Sequence, residues 1–322
     1  MGPNLPMNLH RLLLLSLASA FLASTALARI ERTIEKTFTV RAGGKLTVST
    51  FGGNVTVQPG SGHQVTVEAR QVLPKAGSEA EADRILADLE LLMEQEGDNV
   101  NASARFSKQR WGGLFRRGAW PPVSVNFTVT VPEQYHVDLK TSGGNIEVGD
   151  LQGAAQVRTS GGNIRLGRVQ GPVEGKTSGG NISVAEALER LDVSTSGGNI
   201  RVERATGAVK LHTSGGSIAV DRVAGSLDAS TSGGSVKAAL DGTVRGNVSL
   251  STSGGSVELR VPTTAAFQLD ASTSGGRVRA DGFTITLESG GGGRDRLRGA
   301  VNGGGPEVRL RSSGGNITVA PL

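Results

Sequence analysis

Cysteine is absent from the 322-residue sequence. The chain therefore has no disulfide framework, no cysteine nucleophile and no cysteine-based metal site. Aromatic residues make up only 3% of the chain and glycines number 48, a composition typical of disorder when the glycines are scattered. They are not scattered here, because many recur in pairs at fixed spacing. Stability must then come from the packing of a repeated structure.

A strong excess of charge of one sign is also lacking. Loss of the first 28 residues would remove only Arg11, leaving 33 basic and 29 acidic residues and a net charge of +4. Proteins that bind nucleic acid concentrate Lys and Arg on one face, so we expect no nucleic-acid partner. The histidines after residue 28, namely His63, His136 and His212, lack metal-ligand spacing. We predict no metal and no cofactor.

A continuous apolar stretch occurs only near the N-terminus. His10 and Arg11 precede four leucines, and the stretch closes at Ala26-Leu27-Ala28. It is shorter than the about 20 apolar residues needed to span a bilayer and is interrupted by serines. A basic start, a short apolar region and a small-x-small site predict a signal peptide over residues 1–28. The protein is expected to be exported, to the periplasm or to the cell envelope or exterior.

A repeat dominates the rest of the chain. The tetrad Thr-Ser-Gly-Gly begins at six positions from Thr141 to Thr231, each eighteen residues after the last. It returns at Thr252 and Thr273 with spacings of twenty-one, and as Ser312-Ser313-Gly314-Gly315. A fixed period of this length is the sequence signature of a solenoid.

Apolar residues alternate with polar ones on both sides of each Gly-Gly pair. Ile or Val stands five residues after the Thr, from Ile146 to Ile317. This period of two predicts two short half-buried strands per coil, with neighbouring coils stacked in register. We expect the Gly pair to supply positive φ and close stacking at a sharp corner. The Asn that often follows is expected to adopt a left-handed conformation or to form a side-chain ladder.

The pattern therefore predicts an all-β protein: a single-chain β-solenoid of about eighteen-residue coils, with a right-handed β-helix as the expected form. Residues 133–322 form the predicted repeat domain. Residues 29–132 are predicted to be a β-rich capping segment that contains one short helix, because Ser78 and Glu81 form a capping box. After Leu89, alternating apolar residues on both sides of Gly97-Asp98 favour a hairpin.

Several segments together resemble a known family. They are "GGKLTVSTFGGNVTV", "FTVTVP" and the closing "VNGGGPEVRLRSSGGNITV". Their order resembles the bacterial putative adhesin family of β-strand repeat proteins, a domain of unknown function. The resemblance covers nearly all of residues 35–322 and implies the fold, but no site residues.

An enzyme is the competing class, because β-helices also include polysaccharide lyases and hydrolases. Three residues before the Thr, Glu174 and Asp192 stand in neighbouring coils, at about the separation of retaining glycosidase carboxylates. Lys210 between Asp192 and Asp228 instead indicates a solvated face of alternating charge. No acid recurs after the glycines to bind calcium, and the serines lack a paired base. We therefore predict no catalytic residues.

Residues 105–120, named here the basic-aromatic loop, combine cations with aromatic side chains and contain no acid. Such a segment can bind anionic membranes or acidic glycans, or it can fold back over the end of the solenoid while its cations stay in water. The candidate surface-binding residues are Arg105, Lys108, Arg110, Trp111, Phe115, Arg116, Arg117 and Trp120.

The sequence favours a non-catalytic exported envelope or secreted protein, an adhesin-like scaffold that presents a binding surface. Its expected partners are an envelope protein, a glycan or an anionic membrane surface. A polysaccharide-active β-helix enzyme is one alternative. A membrane-surface or acidic-glycan binder that works through the basic-aromatic loop is the other.

Overall fold

The structure, a computed structural model, describes residues 29–106, 122–242 and 244–322. These residues form 27 strands and one helix. The strands make two sheets, sheet I with 13 strands and sheet II with 14. The prediction of an all-β solenoid is confirmed.

Each coil supplies one strand to each sheet. The strand before the turn belongs to sheet II in the following elements: β2 (Lys45–Thr50), β8 (His136–Thr141), β10 (Ala155–Arg158), β12 (Val173–Lys176), β14 (Leu191–Thr195), β16 (Val209–Thr213), β18 (Leu227–Thr231), β20 (Val248–Thr252), β22 (Phe267–Thr273) and β26 (Glu307–Ser312). The strand after the turn belongs to sheet I in these elements: β3 (Val55–Gly60), β9 (Ile146–Val148), β11 (Ile164–Val169), β13 (Ile182–Ala187), β15 (Ile200–Ala205), β17 (Ile218–Val223), β19 (Val236–Leu240), β21 (Val257–Val261), β23 (Val278–Ala280) and β27 (Ile317–Pro321).

The apolar columns of the sequence become the core between the two sheets. Ile146 pairs in parallel with Ile164, and Ile164 with Ile182. All three are 1% exposed. One coil cannot enclose its apolar side chains alone, so the stacking of identical coils builds one continuous core. The predicted register is confirmed along this part of the stack.

The Thr of each tetrad joins adjacent coils. In the coil of Thr195 the hydroxyl donates to the Gly180 carbonyl of the coil before, at 2.9 Å, and accepts from the Gly198 N–H of its own turn, at 3.3 Å. Thr195 is buried, so both bonds satisfy a polar group that would otherwise be costly inside the core. The sequence pattern alone does not indicate this role.

The Gly-Gly pair differs in one respect from its prediction. Among described glycines with positive φ, only Gly53 belongs to a coil turn of this kind, and the Thr-Ser-Gly-Gly turns have none. The expectation of positive φ there is wrong. The second glycine is instead required by close stacking: a Cβ on Gly198 would lie under 3.0 Å from the Gly180 carbonyl oxygen.

The Asn column also has a single structural role. The Asn163 side-chain oxygen accepts from the Asn181 N–H, and that of Asn181 from the Asn199 N–H, each at 2.8 Å. Ser217 and Ser235 continue the same ladder with their hydroxyls. The left-handed alternative is wrong, since among the described residues Asn302 is the one non-glycine with positive φ. The ladder runs from side chain to backbone, which fixes the turn of each coil to the next.

At the N-terminal end the stack begins earlier than the tetrads. The remaining elements there are β1 (Ile30–Thr39), β4 (Gln64–Leu73), α1 (Glu79–Leu86), β5 (Leu89–Glu96), β6 (Asn99–Phe106) and β7 (Ser124–Pro132). Strands β2 and β3 stack on β8 and β9, while β6 and β7 stack on the other side of β2 and β3. The division at residue 133 stays a prediction, and both sheets run across it.

Antiparallel strands close this end. Strand β5 pairs with β6 at the edge of sheet II, which confirms the predicted hairpin, and β7-β4-β1 end sheet I. The helix is capped as predicted: Ser78 accepts from the Glu81 N–H at 3.2 Å, although the Glu81 carboxylate accepts from Gly77. Ala82 and Ile85 form the buried apolar face of the helix.

The C-terminal end departs from sequence order. Strands β26 and β27, the last in the chain, lie between β20-β21 and β22-β23. The coil of β22 and β23 therefore ends the stack, although it comes earlier in the sequence. Strands β24 (Ile285–Gly292) and β25 (Arg296–Val301) extend sheet II beyond it as an antiparallel hairpin. Coils that are neighbours in the sequence are therefore not all neighbours in the stack.

Candidate binding groove on sheet II

The outward side of sheet II carries a column of polar side chains three residues before each Thr. Parallel pairing places Asp138 beside Gln156, Gln156 beside Glu174, and Glu174 beside Asp192. Side chains along a strand point alternately to the core and to the surface. Val137 and Leu139, on either side of Asp138, lie in the core, so the column of Asp138 faces the surface.

A shallow groove of about 540 Å³ crosses this face over five successive coils, from the coil of Lys45 to that of Asp192. Small apolar residues, Ala154 and Pro172, line part of it. They lie five residues before the Thr, in the same column as His136 and Arg190. The polar residues that line the groove are Lys45, His136, Gln156, Glu174, Arg190 and Asp192.

Glu174 is held in a cluster of donors. It accepts from Gln156 Nε2 at 2.8 Å, and its other oxygen lies 3.0 Å from both Lys176 Nζ and Arg158. The hydrogen bond from Gln156, followed by those from Lys176 and Arg158, lowers the pKa of Glu174 to about 2. Its carboxylate is therefore ionised across the physiological pH range.

The other charges of the groove are also paired. Asp192 lies 3.2 Å from Arg190, and Asp138 lies 3.1 Å from Lys45. His136 Nδ1 accepts from the Ala154 N–H at 3.0 Å. The groove thus offers hydrogen-bonding groups already oriented by their neighbours.

Glu174 and Asp192, the acid pair that a glycosidase would need, do lie in one groove and in adjacent strands. A glycoside hydrolase needs one carboxyl that stays protonated to act as the general acid. Glu174 does not fit that role, because its donors favour the charged form. Asp192 is engaged with Arg190 instead of facing an apolar wall. This geometry suits binding better than acid catalysis.

Metal ligands do not converge in the described part of the chain, where no group of three His, Asp or Glu could hold an ion. His212 Nδ1 lies 3.0 Å from Ser230 Oγ in the next coil, a contact between coils. The helix found among the described residues is too short and polar to cross a membrane.

Of the eight candidate residues of the basic-aromatic loop, the structure describes one. Arg105 is exposed in β6, opposite Glu90 of β5. The others lie outside the described residues, as does the predicted signal peptide over residues 1–28: Lys108, Arg110, Trp111, Phe115, Arg116, Arg117 and Trp120. The loop connects the end of β6 to the start of β7. In all the other coils a Gly-Gly turn makes the corresponding connection, as it does between β2 and β3.

Sequence reasoning identified the acidic column of this groove but not its other wall. Ala154, Pro172 and Arg190 repeat at eighteen-residue spacing with His136. The same alignment on the Thr would have placed them in one column. The repeat spacing predicts the columns but not the groove, because the groove depends on the side-chain volumes of five adjacent coils.

Comparison with solved structures gives low similarity over most of the chain. A putative adhesin from Bacteroides fragilis is 12% identical, with 90% of this chain and 97% of that chain covered and a TM-score of 0.29. A putative cell adhesion protein from Clostridium sporogenes is 11% identical, with 90% and 100% covered and a TM-score of 0.22. A putative lipid binding protein from Parabacteroides distasonis is 10% identical, with 90% and 96% covered and a TM-score of 0.30. Likeness at this level does not establish a shared function.

A search of curated proteins found no match. The family model named Toastrack DUF4097, a domain of unknown function, matches residues 44–320. That range runs from the coil of β2 and β3 to the last strand of the chain, and it confirms the resemblance to a β-repeat family. The chain belongs to the Toastrack DUF4097 family.

Proposed function

We propose that the protein is a non-catalytic, exported scaffold of the cell envelope or exterior that binds a glycan along the sheet II groove, in the manner of an adhesin. The observation that carries the proposal is the groove itself, which crosses five coils and is lined by paired polar groups beside small apolar ones. Export rests on the sequence pattern of residues 1–28.

The shape of the groove favours an extended partner. Five strands at about 4.8 Å spacing give a length of roughly 20 Å, which is enough for several sugar units. The ion pairs of Glu174 and Asp192 hold these side chains in place before binding. Preorganised groups lose less conformational entropy when a ligand binds, and this raises affinity.

The chemistry of the groove favours a neutral or mixed-charge polymer. Its acids and bases pair with one another, so no large field of one sign remains to select a strongly charged partner. Gln156 and His136 add hydrogen-bonding groups, and a sugar hydroxyl can both donate and accept. The exposed ring of Pro172 offers an apolar surface to a sugar face.

A glycan screen with a matched pair of variants tests this proposal. Ala154→Trp places a large side chain in the groove and should abolish binding of any glycan that the wild type retains. Ala219→Trp makes the same change on the outward side of sheet I and should leave binding intact. Both residues are partly exposed, and melting temperatures would show that both variants fold.

Equal binding by both variants, or no glycan retained by the wild type, would refute the proposal. The enzyme alternative makes a separate prediction in the same assay. It requires new reducing ends or unsaturated sugars in the wild-type reaction and their loss in Glu174→Gln.

A further inference from the structure

The Asn/Ser ladder changes at its last member. From the coil of Asn54 to that of Asn316, each coil in the stack places Asn or Ser after the Gly pair, and its side chain accepts an N–H from the following coil. In the coil of β22 and β23 this position is Arg277, whose own N–H donates to Asn316 at 2.9 Å.

The inserted final coil explains why Arg can stand there. Because β26 and β27 lie inside the stack, Arg277 belongs to the terminal coil, beyond which no further Asn/Ser turn stacks. No N–H of another turn needs an acceptor from this residue. The ladder therefore does not restrict the residue type at 277, and its side chain is exposed.

Arg277 is one of three arginines on a single cleft of about 280 Å³, with Arg279 and Arg294. Arg279 follows at the next outward position of β23, and the Arg294 carbonyl accepts from the Val278 N–H at 2.9 Å, which brings its segment against the same strand. The cleft is completed by Gly275, Gly276, Asn316 and Thr318.

None of the three arginines forms an ion pair with an acid in the described part of the chain. Neighbouring arginines in the same cap differ, since Arg298 and Arg311 both pair with Asp270. Asp281 and Asp295, close in sequence to Arg279 and Arg294, do not line the cleft. Like charges held together are destabilising unless an anion neutralises them.

We propose that this cleft binds a phosphate group, either as free phosphate or as part of an anionic lipid headgroup. Guanidinium groups match phosphate oxygens with paired hydrogen bonds, which favours phosphate as the anion. The Thr318 hydroxyl and the Asn316 side-chain NH₂ supply further donors, since the Asn316 oxygen is occupied by the Arg277 N–H. The site lies at the opposite end of the stack from the basic-aromatic loop.

Arginine-selective labelling with phenylglyoxal, read residue by residue by mass spectrometry, tests the site directly. Inorganic phosphate at constant ionic strength should slow the labelling of Arg277, Arg279 and Arg294 several-fold relative to chloride. Arg222, an exposed arginine on sheet I in the middle of the stack, is the internal control and should label at the same rate in both salts. A parallel arm replaces phosphate with phosphatidylglycerol vesicles, and phosphatidylcholine vesicles serve as its control.

Variants give a second readout. Phosphate should raise the melting temperature of the wild type, because binding to the folded state alone stabilises it. The increase should vanish in Arg277→Ser/Arg279→Ser/Arg294→Ser and persist in Lys140→Ser/Lys210→Ser/Arg222→Ser, which removes the same charge from exposed positions elsewhere. Ser at 277 is the residue that three other coils carry, so the fold should tolerate it.

Protection by phosphate, by phosphatidylglycerol or by both supports the site and identifies the source of the phosphate. Absence of protection in both arms overturns it. Equal thermal shifts in the two triple variants would also overturn it, because the effect would then be general screening of positive charge. Glycan binding in the sheet II groove is independent of either result.

Discussion

At the scale of the residue, the two glycines of each turn differ in what surrounds them. A Cβ on Gly198 would lie under 3.0 Å from the backbone of Gly180, whereas a Cβ on Gly197 would meet the Gly179 oxygen at 3.5 Å, an ordinary contact. The backbone that Gly198 touches cannot move without disturbing the coil before it. In this coil only the second glycine is therefore required by the stack, whereas in the coil of Thr231 a Cβ on the first glycine, Gly233, would also lie 2.9 Å from backbone, at the Gly215 oxygen.

The substitutions Gly198→Ala and Gly197→Ala test this difference with the same added methyl group. We expect Gly198→Ala to lower the free energy of unfolding by about 1–3 kcal/mol, the usual cost of overpacking, and Gly198→Val by more. Gly197→Ala should change it little. Urea unfolding of both variants is the measurement, and equal losses would show that the coils do not stack as described.

Glu174 links the groove to pH. Its pKa is lowered to about 2 in the folded protein by Gln156, Lys176 and Arg158, from an unfolded value near 4.5. The carboxylate therefore contributes stability that is present above the unfolded pKa and is lost as pH falls toward 2. Because the side chain is about a third exposed, solvent screening limits the contribution to less than about 1 kcal/mol.

Melting temperatures between pH 7 and pH 2 should show this loss directly. Glu174→Gln should melt below the wild type at pH 7, and the two curves should converge as pH falls through the interval from about 4.5 to 2. Asp228→Asn, in the same column but outside the groove, should follow the wild type throughout. A constant offset for Glu174→Gln at every pH would contradict the assignment.

At the scale of the element, β6 and β7 form the outermost coil of the N-terminal end, with the basic-aromatic loop in place of a Gly-Gly turn. In the other coils this connection is four or five residues long and contains the Gly pair. Here it is a segment dense in cations and aromatic residues. The ladder contact at this end is supplied by Asn126, whose side chain accepts from the Asn54 N–H at 2.8 Å. The loop sequence is therefore free of the usual turn requirement.

We predict that Arg110→Ser/Arg116→Ser/Arg117→Ser abolishes salt-sensitive binding to anionic vesicles and leaves the melting temperature unchanged. Each cation near an anionic surface contributes about 1 kcal/mol, and the neighbouring Trp residues add interfacial contact. Vesicle sedimentation at low and high salt is the measurement, with Lys140→Ser/Lys210→Ser/Arg222→Ser as the charge-matched control. If the wild type fails to bind even at low salt, the loop acts only as a cover for the solenoid end.

At the scale of the whole molecule, both ends of the stack place a coil between two others out of sequence order. The coil of β2 and β3 lies between those of β6-β7 and β8-β9, and the coil of β26 and β27 lies between those of β20-β21 and β22-β23. The C-terminal strand is thus paired on both sides. Antiparallel strands extend sheet II at both ends and sheet I at its N-terminal end, whereas β23 is left as the edge strand of sheet I. A strand of only three residues is a short edge, which limits edge-to-edge association with other chains.

This order predicts the pattern of hydrogen exchange. Backbone amides of residues 317–320, although near the chain terminus, should exchange nearly as slowly as those of mid-stack Ile218–Val223. Amides of Val278–Ala280, at the edge of sheet I, should exchange faster, because chain segments open locally where pairing is one-sided. Peptide-resolved exchange measured by mass spectrometry decides. Fast exchange at 317–320 with slow exchange at 278–280 would contradict the described order and show that the coils stack in sequence order.

The sequence alone determined the length of the coil, the residues that face the core, the Ser78 cap and the hairpin after Leu89. Each follows from local rules, since alternation at period two and capping act over a few residues. It also determined the family, through segments distributed over the whole repeat. The sequence predicts a ladder of Asn side chains as one of two alternatives and indicates no role for Thr195, because the partners of both lie in the coils before and after them.

Only the tertiary structure decided which coils are neighbours. The coils of Thr252, Thr273 and Ser312 carry the same apolar columns and the same turn, so any pair of them could stack with the same local interactions. The choice depends on the connections and on the hairpin of β24 and β25, which are long-range features. That choice places Arg277 at the end of the stack, where the ladder needs neither Asn nor Ser.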